Sequence, residues 1–183
     1  MLAMKMVSQR SQLGYTLLEL MTALSILGIL VAVAAPSFSD YSRNSRALAV
    51  QNDIVTALNL ARSEAVRRAT RVTVCASSDG ASCTGNTTWN NGWIVFADGS
   101  GAAGTVNAPN DRVLQTYGDY PATIVQIPAA TASSFYSFTA TGSAVNTGAL
   151  EMLPYGCTAG DLKRRRVAII GIGTIRSTTL PCP

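Results

Sequence analysis

Gly14-Tyr15-Thr16-Leu17-Leu18-Glu19 opens an apolar run that continues to Ala35, and the rest of the chain is read outward from it. At ~1.5 Å per helical residue, Tyr15 to Ala35 reaches roughly 30 Å, the thickness of a bilayer's hydrocarbon core. Glu19 is the one charge inside this run. An ionisable group at such depth costs about 2.5 kcal/mol or more unless it is paired or near the interface, so a partner is expected. The leader ahead of it, residues 1–14, holds Lys5 and Arg10 and no acid. By the positive-inside bias the amino terminus then stays cytoplasmic and the remainder is exported.

Pro36 follows the apolar run directly and is expected to kink a helix that otherwise continues. Beyond it Val50, Ile54, Ala57, Leu58, Ala61 and Ala65 recur at three- and four-residue steps and form one apolar stripe. Arg43, Arg46, Asp53, Arg62, Glu64, Arg67 and Arg68 lie mostly off that stripe, and Glu64 precedes Arg68 by four residues, the favourable order for a surface ion pair. The pattern predicts one helix from about Tyr15 to Ala69. Its first half, 15–35, is apolar all round, and its second, 36–70, is one-sided and must pack on something.

From Arg71 the composition changes to short β-rich runs between Gly, Ser, Thr, Asn and Pro, which bounds a head over 71–183, enough for one small core. Candidate strands are Arg71–Ala76, Trp93–Ala97, Arg112–Tyr117, Thr123–Ile127, Phe135–Thr139, Leu150–Pro154, Arg166–Ile170 and Thr174–Ser177. Ser100 to Asn110 is rich in Gly and Ala and is expected to be a flexible loop. The acids Asp79, Asp98, Asp111, Asp119, Glu151 and Asp161 are scattered beside turns and read as turn or solvating residues.

All four cysteines, Cys75, Cys83, Cys157 and Cys182, fall in the head, which fits an oxidising compartment. Three connectivities are open. The local pairing Cys75–Cys83 with Cys157–Cys182 is favoured, because its second bridge would tie the C-terminus back onto the strands. Each bridge would contribute on the order of 2–4 kcal/mol. Zinc on four thiolates is the rival, disfavoured by spacings unlike CxxC and by the absence of histidine. Without histidine no Ser-His, Cys-His or His-metal constellation can be assembled, so the chain reads as non-enzymatic, with no cofactor and no metal. Gly171-Ile172-Gly173 is too common a pattern to signal nucleotide binding and reads as a turn.

A basic leader ending in Gly14, an aromatic Tyr15, then Thr16-Leu17-Leu18-Glu19 resembles the leader of type IV pilins and type II secretion pseudopilins. An ordinary secretory signal, cut near Ala32-Val33-Ala34, and a plain single-pass anchor are the alternatives. The resemblance implies cleavage by a prepilin peptidase between Gly14 and Tyr15, methylation of the new Tyr15 amine, and pairing of Glu19 with a neighbouring subunit's amine during assembly. Tyr15 stands where most members have Phe. In the head, Ala61-Arg62-Ser63-Glu64-Ala65, Val72-Thr73-Val74-Cys75, Asn91 to Asp98, Phe138 to Gly142, and Arg166 to Ile170 with Gly173 resemble the GspH/FimT family.

That family implies an α+β fold of pilin type, a long helix packed on an antiparallel β head, and a role as minor pilin or minor pseudopilin near the fibre tip. The expected partners are other major and minor pilins. The expected location is the bacterial inner membrane with a periplasmic head, then a fibre at the cell surface. Trp93 and Phe96 are expected to fill the core between helix and sheet, and Arg62 and Glu64 to be ordinary helix-surface charges.

Net charge is +4. Without the leader it is 12 basic against 10 acidic residues, so the distribution matters more than the total. Lys163-Arg164-Arg165-Arg166 and Arg176 form a basic segment with no acid after Asp161. Such a patch suits the phosphates of double-stranded DNA, with affinity falling as salt rises. Some FimT-type pilins bind DNA through a C-terminal Gly-Arg-x-Arg motif. Here the corresponding piece is Gly173-Thr174-Ile175-Arg176, with one arginine missing. In a strand Arg164 and Arg166 would face one side and Lys163 and Arg165 the other. An edge-protecting or subunit-interface cluster is the weightier reading.

Overall fold

A computed structural model of the chain describes residues 14–107, 109–122, 125–127 and 132–183, with the side chains of 33–37 and 125–126 outside the description. It divides into two compact units, Met1–Asp40 and Tyr41–Pro183. Among the described residues one helix, α1 (Leu17–Arg68), precedes eight strands: β1 (Val72–Ala76), β2 (Trp93–Ala97), β3 (Arg112–Tyr117), β4 (Val125–Gln126), β5 (Phe135–Phe138), β6 (Gly148–Pro154), β7 (Arg164–Ile170) and β8 (Thr174–Leu180). The fold is α+β. The helical assignment continues across Pro36, whose side chain is among those outside the description.

In the first unit, every large apolar side chain from Leu17 to Val31 leaves more than half of its surface exposed. The segment therefore offers an apolar surface all round and buries none of it within its own unit. Among the described residues no helix is long and apolar enough to cross a membrane. The expected span reaches Ala35, into residues whose side chains are not described.

In the second unit, the stripe Ala47, Val50, Ile54, Ala57, Leu58, Ala61 and Ala65 is buried against the strands. Small residues at 57, 61 and 65 let the helix approach the sheets closely. α1 ends in a Schellman motif. The Thr70 N–H reaches the Ala65 carbonyl at 3.2 Å and the Ala69 N–H reaches that of Val66 at 3.3 Å, while Ala69 takes φ 51°.

The strands form two four-stranded sheets, ordered β3-β2-β1-β5 and β4-β6-β7-β8, with antiparallel pairing throughout. Their helix-facing sides supply Val72, Val74, Trp93, Val95, Tyr136, Phe138, Leu150, Met152, Val167 and Ile169 to one core. The opposite side of the first sheet carries a second, smaller core of Cys75, Ile94 and Phe96, packed with Cys83, Val106, Val113 and Phe135. Phe96 thus does not lie between helix and sheet as expected. It is three residues from Trp93, and side chains an odd number apart on a strand point to opposite faces.

The loop expected to be flexible, 100–110, is instead held by two carboxylates. Asp111 accepts the N–H groups of Gly99 (3.1 Å), Ser100 (3.2 Å) and Asn107 (2.9 Å) and the Ser100 hydroxyl (3.0 Å). Asp98, fully buried, receives Arg71 at 2.7 Å, the Thr73 hydroxyl at 2.7 Å and the Gly104 N–H at 3.1 Å. Neither acid is a solvating turn residue. Together they close the loop over the second core.

Candidate functional site

At the start of α1, the Glu19 N–H donates to Thr16 Oγ1 at 3.2 Å, and the Leu20 N–H bonds the Thr16 carbonyl at 3.2 Å. Thr16 is the N-cap, and Glu19 sits three residues on, the spacing of a capping box. Further along, Thr22 Oγ1 donates to the Glu19 carbonyl at 2.9 Å and Ser25 Oγ to that of Met21 at 2.8 Å. These hydroxyls are satisfied within their own helix. The Glu19 carboxylate has no hydrogen bond or ion pair among the described residues, so it is the unmatched polar group of this surface. A Cβ added to Gly14 would meet nothing within 4 Å, so packing does not require glycine at that position.

The basic segment is largely engaged within the head. Arg164 Nη1 lies 3.3 Å from Glu151 Oε2 and Arg166 Nε 3.8 Å from Glu151 Oε1. Arg165 turns to the other side and donates to Thr179 Oγ1 at 2.9 Å and Asn44 Oδ1 at 3.1 Å. Lys163 Nζ lies 2.9 Å from Asp161 Oδ2. The alternation of faces expected for 164–166 is present, and the residue missed in the sequence is Glu151. Its position between apolar Leu150 and Met152 is the signal that places it on the outer face, where Arg166 is its cross-strand partner. Arg176 is opposite Ala168, two residues along from Arg166, and so shares that outer face. It is exposed and makes no contact with an acid among the described residues.

The separated motif pieces meet at one junction. Arg62 Nη1 donates to the Gly173 carbonyl at 3.2 Å, so this arginine fastens the β7–β8 turn to α1 and is more than a surface charge. Gly173 has φ 99°, and a Cβ there would approach the Gly142 carbonyl and the Ala144 nitrogen, both at 3.0 Å. Only glycine fits such a conformation and approach. Glu64 binds Arg67 at 2.5 Å and Arg68 at 2.6 Å. Hydrogen bonds from those two guanidinium groups hold its carboxyl below the usual range.

Cys75 is bonded to Cys83, with Cα atoms 5.6 Å apart, and Cys157 to Cys182, 5.8 Å apart. All four thiols are thereby used, which leaves no thiolate for the zinc alternative. The Cys182 N–H also reaches the Asp161 carbonyl at 2.8 Å, and the Gly160 N–H reaches that of Cys182 at 3.1 Å. The C-terminus is fastened to the segment that leads into β7.

Compared with known families, residues 50–173 match type II transport protein GspH, and residues 9–35 match the prokaryotic N-terminal methylation motif. Comparison with curated proteins returns no match. Among solved structures, the type IV minor pilin FimU of Pseudomonas aeruginosa is similar at 21% identity over 77% of this chain and 92% of that one, with a TM-score of 0.52. The minor pseudopilin EpsH of the Vibrio cholerae type 2 secretion system is similar at 14% identity over 73% and 96%, with a TM-score of 0.47. With more than half of its length matched, the chain belongs to the family of type II transport protein GspH and carries the prokaryotic N-terminal methylation motif.

Proposed function

We propose that this chain is a non-enzymatic minor pilin that primes and joins a type IV pilus near its tip. The observation that carries this reading is the first half of α1: an exposed apolar surface whose one unmatched polar group is the Glu19 carboxylate. Such a helix is complementary to lipid before assembly and to like helices afterwards. Prepilin peptidase cuts between Gly14 and Tyr15 on the cytoplasmic side, the Tyr15 amine is methylated, and the helix holds the subunit in the inner membrane with its head in the periplasm. Glu19 then meets the amine of a neighbouring pilin. The open space around Gly14 supports a glycine selected by the peptidase and not by folding.

Deleting the protein is expected to reduce surface pili and twitching while enzyme export continues, and Gly14→Val is expected to leave residues 1–14 attached, read as an unshifted mass. Lost export with normal piliation would assign the chain to type II secretion, the second reading, which the match to type II transport protein GspH favours. Capture of double-stranded DNA ranks below both. Lys163, Arg164, Arg165 and Arg166 already have partners within the head, and among the described residues the cation of the outer face without an acidic partner is Arg176.

A further inference from the structure

The ends of the two sheets differ in how their backbone is protected. β5 is covered on its open side by its own chain: the Val145 N–H reaches the Ser137 carbonyl at 2.8 Å, and Asn146 bonds both the Ser137 N–H (3.0 Å) and the Phe135 carbonyl (2.6 Å). The pairing of β3 is broken by a bulge between Val95 and Phe96. β4 has only two residues. β8 has none of these defences. Its seven residues, Thr174–Leu180, pair with β7 in unbroken register, and among the described residues their backbone bonds nothing else.

The strand contains no proline and one charge, and its composition of Thr, Ile and Ser suits an extended chain. Natural sheets blunt such edges, because the outward N–H and C=O groups of alternate residues are a template for another strand. β8 is also pinned at both ends, by Arg62 on the Gly173 turn and by the Cys157–Cys182 bridge. Its ordering cost is met on folding, which favours binding.

Independently of where the subunit sits in a fibre, we propose that β8 is a docking edge for an extended segment of another polypeptide, one that places a carboxylate across from Arg176. The charge on the outer face selects this occupant. Arg164, Arg166 and Arg176 share that face with the single acid Glu151. A second copy of this chain docking through its own β8 would bring another Arg176 and no acid to the added strand, and like charges on facing strands repel. A foreign strand with an acidic residue at the Arg176 level neutralises the unmatched guanidinium while its backbone completes the sheet.

The test uses the full chain in detergent micelles and two probe peptides, acetyl-Thr-Val-Glu-Val-Thr-amide and its lysine counterpart. Amide hydrogen exchange is followed along Thr174–Leu180. The glutamate peptide is expected to slow alternate β8 amides by about fivefold at roughly 5 mM, in keeping with a weak isolated strand, and the lysine peptide is expected to have little effect. Arg176→Glu should reverse that preference without unfolding the head, since Arg176 has no partner to lose among the described residues. No slowing by either peptide, or equal slowing by both, overturns the proposal. So does self-association that Thr178→Pro abolishes, which would make the occupant a second copy. A short DNA duplex that displaces the glutamate peptide would assign the face to nucleic acid instead.

Discussion

Ala69 holds a position that helix ends usually give to glycine. Its φ of 51° lies in the left-handed region, where a Cβ costs roughly 1–2 kcal/mol, and the Schellman bonds to Ala65 and Val66 keep it there. Ala69→Gly is therefore expected to stabilise the protein by about 0.5–1 kcal/mol, the entropy of glycine in the unfolded chain offsetting part of the relief. Denaturant titration of the full chain in micelles measures it, and a loss of stability would contradict the strain. Asp98 lies at the other extreme. It is fully buried with Arg71, Thr73 and Gly104 as partners, and among the described residues Asp98→Ala takes the only carboxylate from the Arg71 guanidinium, leaving it the Gly101 carbonyl, and leaves the Thr73 hydroxyl only that of Ser137. A cost of about 3–5 kcal/mol is expected in the same titration, whereas Asp119→Ala, at an exposed position just after β3, should change little.

At the scale of elements, the 99–111 loop is a test of what composition conceals. Burial of Asp111 by itself raises its pKa, but the Asn107 and Ser100 donors outweigh burial, and the net shift is downward. A carboxyl lowered in the folded state stabilises fully above its unfolded pKa, and that contribution is lost as pH falls through the folded value. Protection of the Gly99, Ser100 and Asn107 amides, each exchange rate taken relative to its intrinsic rate at the same pH, should thus be high at neutral pH and decline only as pH drops from about 4, the ordinary aspartate value, toward the lowered value of folded Asp111. A flat profile would mean the latch does not hold the loop.

The sequence concealed this latch because a Gly/Ala-rich stretch carries no periodic signal, and its order comes from acids at its two ends. The helix and the strands were legible for the opposite reason, since three- and four-residue steps from Val50 to Ala65 and runs such as Trp93–Ala97 state their own periods. Glu151 was not legible as the partner of Arg164 and Arg166, because pairing across β6 and β7 depends on a register that no local pattern fixes. The cysteines were legible as local pairs, and their second bridge has an element to hold. Cys157→Ser with Cys182→Ser is expected to lower stability by about 2–4 kcal/mol. It should raise exchange along β8 before β6, because β8 is the edge strand; uniform quickening would place the bridge's effect elsewhere.

For the whole molecule, the two units divide the work: Tyr41–Pro183 folds around its own core, while the helical segment of Met1–Asp40 leaves its apolar side chains exposed. A change at Glu19 should therefore leave the head untouched and act only where the helix meets others. Thr16 caps α1 through the Glu19 backbone N–H, which survives replacement of the side chain, so Glu19→Ala removes the carboxylate and keeps the cap. Alanine also has the higher helix propensity, so local helicity will not fall. Loss of function in this variant would then report the missing charge alone. The expected result is normal head stability, largely intact removal of residues 1–14, accumulation in the membrane fraction, and several-fold less subunit in sheared pili. Glu19→Gln should behave like Glu19→Ala if charge pairing sets the register, and like the parent chain if a hydrogen bond suffices. Normal entry of Glu19→Ala into pili would show that the apolar surface directs assembly without the carboxylate, and would remove Glu19 from the mechanism.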